Sequence, residues 1–129
     1  MTVKLIGAPT CVGTGTPGCE YGPRAVEDVL HDYEFVMLDH FEGAPSNDDN
    51  MRNYSDVMAW CGLINKEVTR TFREGKVPGL IGGDHSLAIG SISAVSMHAK
   101  KNLHVLWFDA HADINSAQTS PTGNMHGMP

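Results

Sequence analysis

Apolar positions along the chain alternate between short continuous runs and longer stretches with a helical period. Val3–Ala8 is a brief apolar run that stops at Pro9, and it predicts a first strand. A glycine-rich loop follows, with Gly13, Gly15, Gly18 and Gly22, and Pro23 suits the start of a helix. Ala25, Val26, Val29 and Leu30 then recur at helical steps, and Phe35–Leu38 reads as a second strand. Residues Asp39–Asn50 are polar and acidic, and predict a surface loop. Met51–Glu74 is the clearest helix, because Val57, Trp60, Cys61, Ile64, Val68 and Phe72 form one apolar stripe, and Gly75 ends it. Val77–Ile81 predicts a third strand, Ser86–Lys100 another helix, and Leu103–Phe108 a fourth strand without strict alternation.

The order is therefore strand and helix in alternation. That pattern predicts an α/β domain with a mainly parallel sheet, helices on its faces and right-handed crossovers. No repeat, low-complexity tract or domain boundary interrupts it. In sheets of this kind ligands bind beyond the carboxyl ends of the strands, so the residues that follow Ile81 and Phe108 are the ones to read for chemistry.

Composition narrows the class. The chain has 129 residues, of which 41% are hydrophobic and 19% charged, which suits one folded domain and not disorder. No apolar run approaches the roughly 18 residues that cross a bilayer, and the opening residues lack the layout of a signal or transit peptide. Three cysteines, Cys11, Cys19 and Cys61, with no Cys-x-x-Cys pair, predict free thiols in a reducing, cytoplasmic compartment. The net charge of −6 and scattered Lys and Arg argue against nucleic acid as a partner. The acids are unevenly spread: 12 of 15 lie at or before Glu74. Beyond it only Asp84, Asp109 and Asp113 remain, each close to a histidine, and five of the seven histidines share that part of the chain.

Two clusters stand at the expected strand ends. Gly82–Ser86 (GGDHS) pairs two glycines that permit a tight turn with Asp84 or Ser86 as a helix cap, which aims His85 into the crevice. Alone it also reads as an ordinary capped turn. Asp109–Asn115 (DAHADIN) carries Asp, His, Asp and Asn at alternate positions. Fully extended, Asp109 and Asp113 would stand about 13 Å apart at roughly 3.3 Å per residue, so the loop must curl for Asp109, His111 and Asp113 to meet. Ionisable groups at the end of a buried strand are costly unless paired or metal-bound. Carboxylates with imidazole and no thiolate suit Mn²⁺ better than Zn²⁺ or Fe²⁺. A third segment, Ser120–Pro129, reads by composition as a polar loop.

Taken together and in this order, GGDHS, DAHADIN and Thr122–Pro129 (TGNMHGMP) resemble the arginases of the ureohydrolase superfamily. The Ile6–Pro9 strand end and the Glu20–Pro23 loop extend the likeness over the whole chain. The resemblance implies a three-layer α/β/α arginase-like fold, of which residues 1–129 form the N-terminal part of a single domain. It implies hydrolysis of L-arginine to L-ornithine and urea by a metal-activated hydroxide at two Mn²⁺ ions, as in arginine metabolism and the urea cycle. His85, Asp109 and Asp113 match ligands of one ion, and Asp109 and His111 ligands of the other, with Asp109 bridging. His126 matches the histidine assigned to proton transfer. Asn115, Thr122 and Asn124 match positions that hold the amino-acid end of arginine, with Thr122 where many relatives have Ser, and Ser120 adds to the same grip. The family also implies a homo-oligomer, a trimer or a multiple of one, and no membrane.

Relatives continue past the position of Pro129 with a Ser-x-Asp-x-Asp segment that completes both metal shells and a Glu that holds the guanidinium. Neither occurs in this sequence, so the 129-residue chain by itself is expected to bind manganese weakly and to be inactive. The alternatives are a non-catalytic fragment of such an enzyme and an agmatinase-like ureohydrolase.

Overall fold

The computed structural model describes residues 2–40, 43–44, 46–99 and 103–129. In chain order the elements are β1 (Val3–Ala8), α1 (Gly22–Val29), β2 (Glu34–Met37), β3 (Asn47–Asp48), β4 (Met51–Arg52), α2 (Tyr54–Arg73), β5 (Val77–Gly82) and α3 (Ala88–Ala99). Single 3-10 turns lie at Cys19–Tyr21, His85–Leu87 and Met125–Gly127.

Three of the apolar runs pair as one parallel sheet in the order β2-β1-β5, with Ile6 opposite both Val36 and Leu80. β1 is central, which is why its run is continuous rather than alternating: Leu5, Ile6 and Ala8 are all buried. The stripe of α2 is the other half of the core. Val57, Trp60, Cys61, Ile64 and Val68 are all buried, and the helix lies against β1, β5 and α3. Gly90 lets α3 approach closely, since a Cβ there would stand 2.5 Å from the Cys61 carbonyl oxygen. α1 also lies against β1 and β5, and the whole is a three-layer α/β/α arrangement.

At the amino-terminal end of the sheet the core holds a charge. Lys4 on β1 is 1% exposed, and its ammonium lies 2.9 Å from Glu67 and 3.3 Å from Glu74. At the opposite, carboxyl end, the chain leaves β1 and β5 into the loops that build the site.

Several expectations need correction. The helix read from Met51 begins at Tyr54, because Met51–Arg52 pair antiparallel with Asn47–Asp48 and Asn53 takes a left-handed φ of 52°. The polar loop Asp39–Asn50 thus contributes a strand of its own. The helix read from Ser86 starts as a 3-10 turn and becomes α-helical only over Ala88–Ala99, while Lys100 lies outside the described residues. Leu103–Phe108 forms no strand, so Leu80 and Leu106 are not sheet neighbours. Leu106 is 82% and Phe108 93% exposed. A segment apolar on both faces becomes a parallel strand only when layers cover both faces, and these side chains face solvent. Among the described residues no helix is long and apolar enough to cross a membrane.

Candidate metal centre

β5 ends at Gly82, and the next three residues aim the first donor. Asp84 accepts hydrogen bonds from the Ser86 amide and from the Gly13 amide, both at 2.9 Å. It caps the turn that carries His85 and ties it to the loop after β1. That tie requires glycine. A Cβ at Gly83 would sit 1.9 Å from the Thr10 carbonyl oxygen, and one at Gly13 would sit 2.3 Å from an Asp84 carboxylate oxygen. Trp107 rests against the His85 ring, centroids 4.6 Å apart.

The curl expected of Asp109–Asp113 is present and has two local causes. The His111 amide donates back to Asp109 Oδ1 at 2.8 Å, and Asp113 adopts a left-handed φ of 46°. Asp113 Oδ2 thereby reaches His85 Nδ1 at 2.5 Å, and Asp109 Oδ2 lies 3.6 Å from the same nitrogen. One donor atom each from His85, Asp109 and Asp113 lie within 4.8 Å of one another. His111 does not join that point: its Nδ1 is 3.4 Å from Asp109 Oδ1 and its side chain is 82% exposed. Of the four expected ligands, three converge and the fourth abuts the other oxygen of Asp109 from the rim. The hydrogen bond from the His111 amide, followed by the charges of the His85 and His111 rings, holds the Asp109 carboxyl below its ordinary value.

The remaining expected residues line the same cleft, of about 520 Å³. Asn115, Ser120, Thr122, Asn124 and His126 share its walls with the four donors. Asn115 donates its amide to the Gly127 carbonyl at 3.1 Å, and its side-chain oxygen accepts from Thr119 at 3.3 Å. The Thr122 hydroxyl accepts from the Asn124 amide at 3.2 Å. The buried Ser120 hydroxyl accepts from the Gly123 amide at 2.9 Å, so it shapes the loop from within. His126 Nδ1 donates to the Gly13 carbonyl at 3.2 Å, which leaves the lone pair of a neutral ring on Nε2.

The residues that hold these loops were not legible as site residues. Gly13 meets both Asp84 and His126, yet it reads as one glycine among several. Asn50 and Arg52, in the hairpin, hold the 117–123 segment. The one signal was the Asn and Asp density of residues 47–50.

The donor set fits a divalent cation. Two carboxylates face one imidazole nitrogen, and a proton on that nitrogen or a divalent cation are alternative positive centres between them.

Comparison with known proteins gives one consistent result. The family model described as "Arginase family" matches residues 1–129. Arginase from Staphylococcus aureus (strain MSSA476) is 36% identical across 98% of this chain and 46% of its own length. The solved structure of arginase from Bacillus subtilis subsp. subtilis str. 168 superposes with a TM-score of 0.84 at 35% identity, covering 100% of this chain and 47% of that one. Entamoeba histolytica arginase, solved in complex with L-ornithine, gives 0.85 at 30% identity over 99% of this chain and 48% of that one. The chain spans a little under half the length of the relatives it matches.

Proposed function

This chain belongs to the Arginase family, and on that premise we propose that its cleft serves the manganese-dependent hydrolysis of L-arginine to L-ornithine and urea. One observation carries the reading. His85, Asp109 and Asp113 bring donor atoms to a single point in a cleft also lined by Asn115, Thr122, Asn124 and His126. The S. aureus relative is an arginase and the E. histolytica neighbour was solved with L-ornithine, which supports a basic amino acid as the ligand.

Each side chain has a part in this reading. His85, Asp109 and Asp113 hold one ion. Asp109 turns its second oxygen toward His111, and that pair serves the other. When bound, Mn²⁺ supplies Lewis acidity and acidifies water for attack on the guanidinium carbon. Asn115, Thr122 and Asn124 grip the amino and carboxylate groups of the substrate. His126, with its Nδ1 proton committed to Gly13, exchanges protons with solvent through Nε2.

The 129-residue chain itself should bind manganese weakly and turn over little. Beyond Glu74 it has three carboxylates, and Asp84 is committed to backbone amides. Two carboxylates are left for two dications, whose repulsion at about 3.5–4 Å needs more bridging anion than that. We further read the protein as cytoplasmic and homo-oligomeric, a trimer or a multiple of one. Its three cysteines, none in a disulfide, fit a reducing compartment.

The test is Mn²⁺ titration of the purified chain, followed by urea release from L-arginine and from agmatine. Saturable Mn²⁺ binding that is lost in Asp109→Asn/Asp113→Asn, with little urea released, is the expected result. Equal binding by the double variant refutes the site, and turnover on the order of 10 per second refutes the assignment of the metal shells. A preference for agmatine refutes the substrate.

A further inference from the structure

We propose that Asn50 is a positioning residue for the loop that carries Thr122 and Asn124. The inference rests on reading that loop as the holder of the substrate's amino-acid end. Asn50 follows Asp49, which has a left-handed φ of 49°, in the turn between β3 and β4. Its side-chain amide Nδ2 donates to the Ser120 carbonyl at 2.7 Å and to the Ala117 carbonyl at 3.1 Å. Two carbonyl oxygens facing one amide fix its orientation, because the flipped amide would set oxygen against oxygen.

The backbone of the hairpin adds two more constraints. The Arg52 amide donates to the Gly123 carbonyl at 2.9 Å. Gly123 has a φ of +74°, and a Cβ there would stand 2.4 Å from the Asn50 carbonyl oxygen. The loop is thus pinned on both sides of Thr122, from residues about 70 positions earlier in the chain. Asn50 does not line the cleft. It therefore acts through the loop and not on a ligand.

The two ends of the cleft are held by different hydrogen bonds that meet at Gly13, whose amide donates to Asp84 and whose carbonyl accepts from His126. His85 is placed by Asp84 and the loop after β1, to which Asn53 donates at the Val12 carbonyl, whereas the Asn50 side chain donates to the carbonyls of Ala117 and Ser120. Loosening the Asn50 pin should consequently spare the metal end and disturb the amino-acid end. L-arginine has an α-carboxylate and agmatine has none, so their relative binding reads the amino-acid end alone.

The experiment compares the parent 129-residue chain with Asn50→Asp, which sets a carboxylate against the two carbonyls. Asn50→Ser, too short to span both, is the milder second variant. Amide exchange is followed at Gly123 and, as a metal-end control, at Ser86. Mn²⁺ affinity is then titrated, and L-arginine and agmatine binding are compared in excess Mn²⁺. The expected result is Gly123 exchange at least tenfold faster, Ser86 exchange and Mn²⁺ affinity within about twofold of parent, and a reduced preference for L-arginine over agmatine. Unchanged Gly123 exchange in both variants overturns the proposal. So does a parallel loss of Mn²⁺ affinity and Ser86 protection, which marks general support of the fold. A parent chain that shows no preference for L-arginine refutes the substrate reading of the loop, whereas Gly123 exchange decides by itself whether Asn50 positions it.

Discussion

Lys4→Met removes a positive charge buried in the sheet and should cost about 3 kcal/mol at pH 7. Lys4 is 1% exposed and faces Glu67 at 2.9 Å, Glu74 at 3.3 Å and Glu34 at 3.6 Å. Methionine fills similar space, so the cost is electrostatic and not a cavity. Breaking a buried ion pair on one side costs roughly 3–5 kcal/mol, because the partner charge stays behind. The stranded group is Glu67, whose side chain is 10% exposed and whose other cation is Arg70, 3.7 Å away and largely in solvent. Glu74 and Glu34 keep Lys76 at 3.1 and 2.6 Å in more exposed positions, so they add little. Partial rescue by Arg70 puts the expectation at the low end of the range.

The pH dependence has a definite sign. The Lys76 hydrogen bond, then that of Lys4, hold Glu74 down to about 2 against the opposing effect of burial. A depressed carboxylate stabilises the fold above its unfolded value near 4.5, and that contribution is lost as pH falls toward 2. Burial pulls the Lys4 ammonium down, but the Glu67 and Glu74 hydrogen bonds outweigh it and the net shift is upward. Its contribution is therefore complete below the unfolded value near 10.5. Acidification weakens the parent more than the variant, because the part of the Glu74 lowering that Lys4 supplies exists only in the parent. The difference between the two should therefore shrink between pH 7 and pH 4. Urea unfolding followed through the fluorescence of buried Trp60 measures both values. Lys4→Met/Glu67→Leu should regain most of the loss, since an apolar pair in place of a buried ion pair is near neutral. A cost below about 1 kcal/mol at pH 7, or a difference that widens on acidification, refutes the reasoning.

Two further outcomes concern the site. Gly83→Ala should cost about 2–3 kcal/mol and weaken Mn²⁺ binding, because its Cβ meets the Thr10 carbonyl at 1.9 Å and forces the β1 and β5 loops apart; a thermal melt within 2 °C of parent, roughly 0.5 kcal/mol, refutes the clash. Asp113→Asn keeps a residue type that tolerates the left-handed φ of 46°, so it isolates the charge. It should lower Mn²⁺ affinity about tenfold or more. At free Mn²⁺ near 100 times the parent dissociation constant, the parent should gain about 2.7 kcal/mol of stability that the variant largely forgoes; equal gains would remove Asp113 from the metal shell.

Local pattern decides some of this structure and leaves the rest undetermined. The run at Val3–Ala8 is a strand buried on both faces, Val77–Ile81 is a half-buried strand paired beside it, and the stripe of α2 is a helix because one face is buried. Those causes are written in consecutive residues. Leu103–Phe108 carries the same apolar signature, yet a strand is a property of its neighbours, and the signature does not say whether a neighbour is there. Lys4 shows the converse. A lone lysine in an apolar run reads as an edge residue, and only Glu67 and Glu74, more than 60 positions on, convert it into a core residue. The site divides along the same line. That His85, Asp109 and Asp113 are the candidate donors is visible in their residue types, since no other acid beyond Glu74 but Asp84 competes. How they meet depends on a single amide folding back on Asp109 and on one left-handed residue, neither of which has a periodic signal. The hairpin at 47–52 is the extreme case, because strands of two residues carry no period at all. Its role comes entirely from what lies across from it. The groups proposed for the ligand are therefore readable from composition and spacing. The groups that hold them still, Gly13 and Asn50 above all, become readable only once distant carbonyls are placed within reach of their amides.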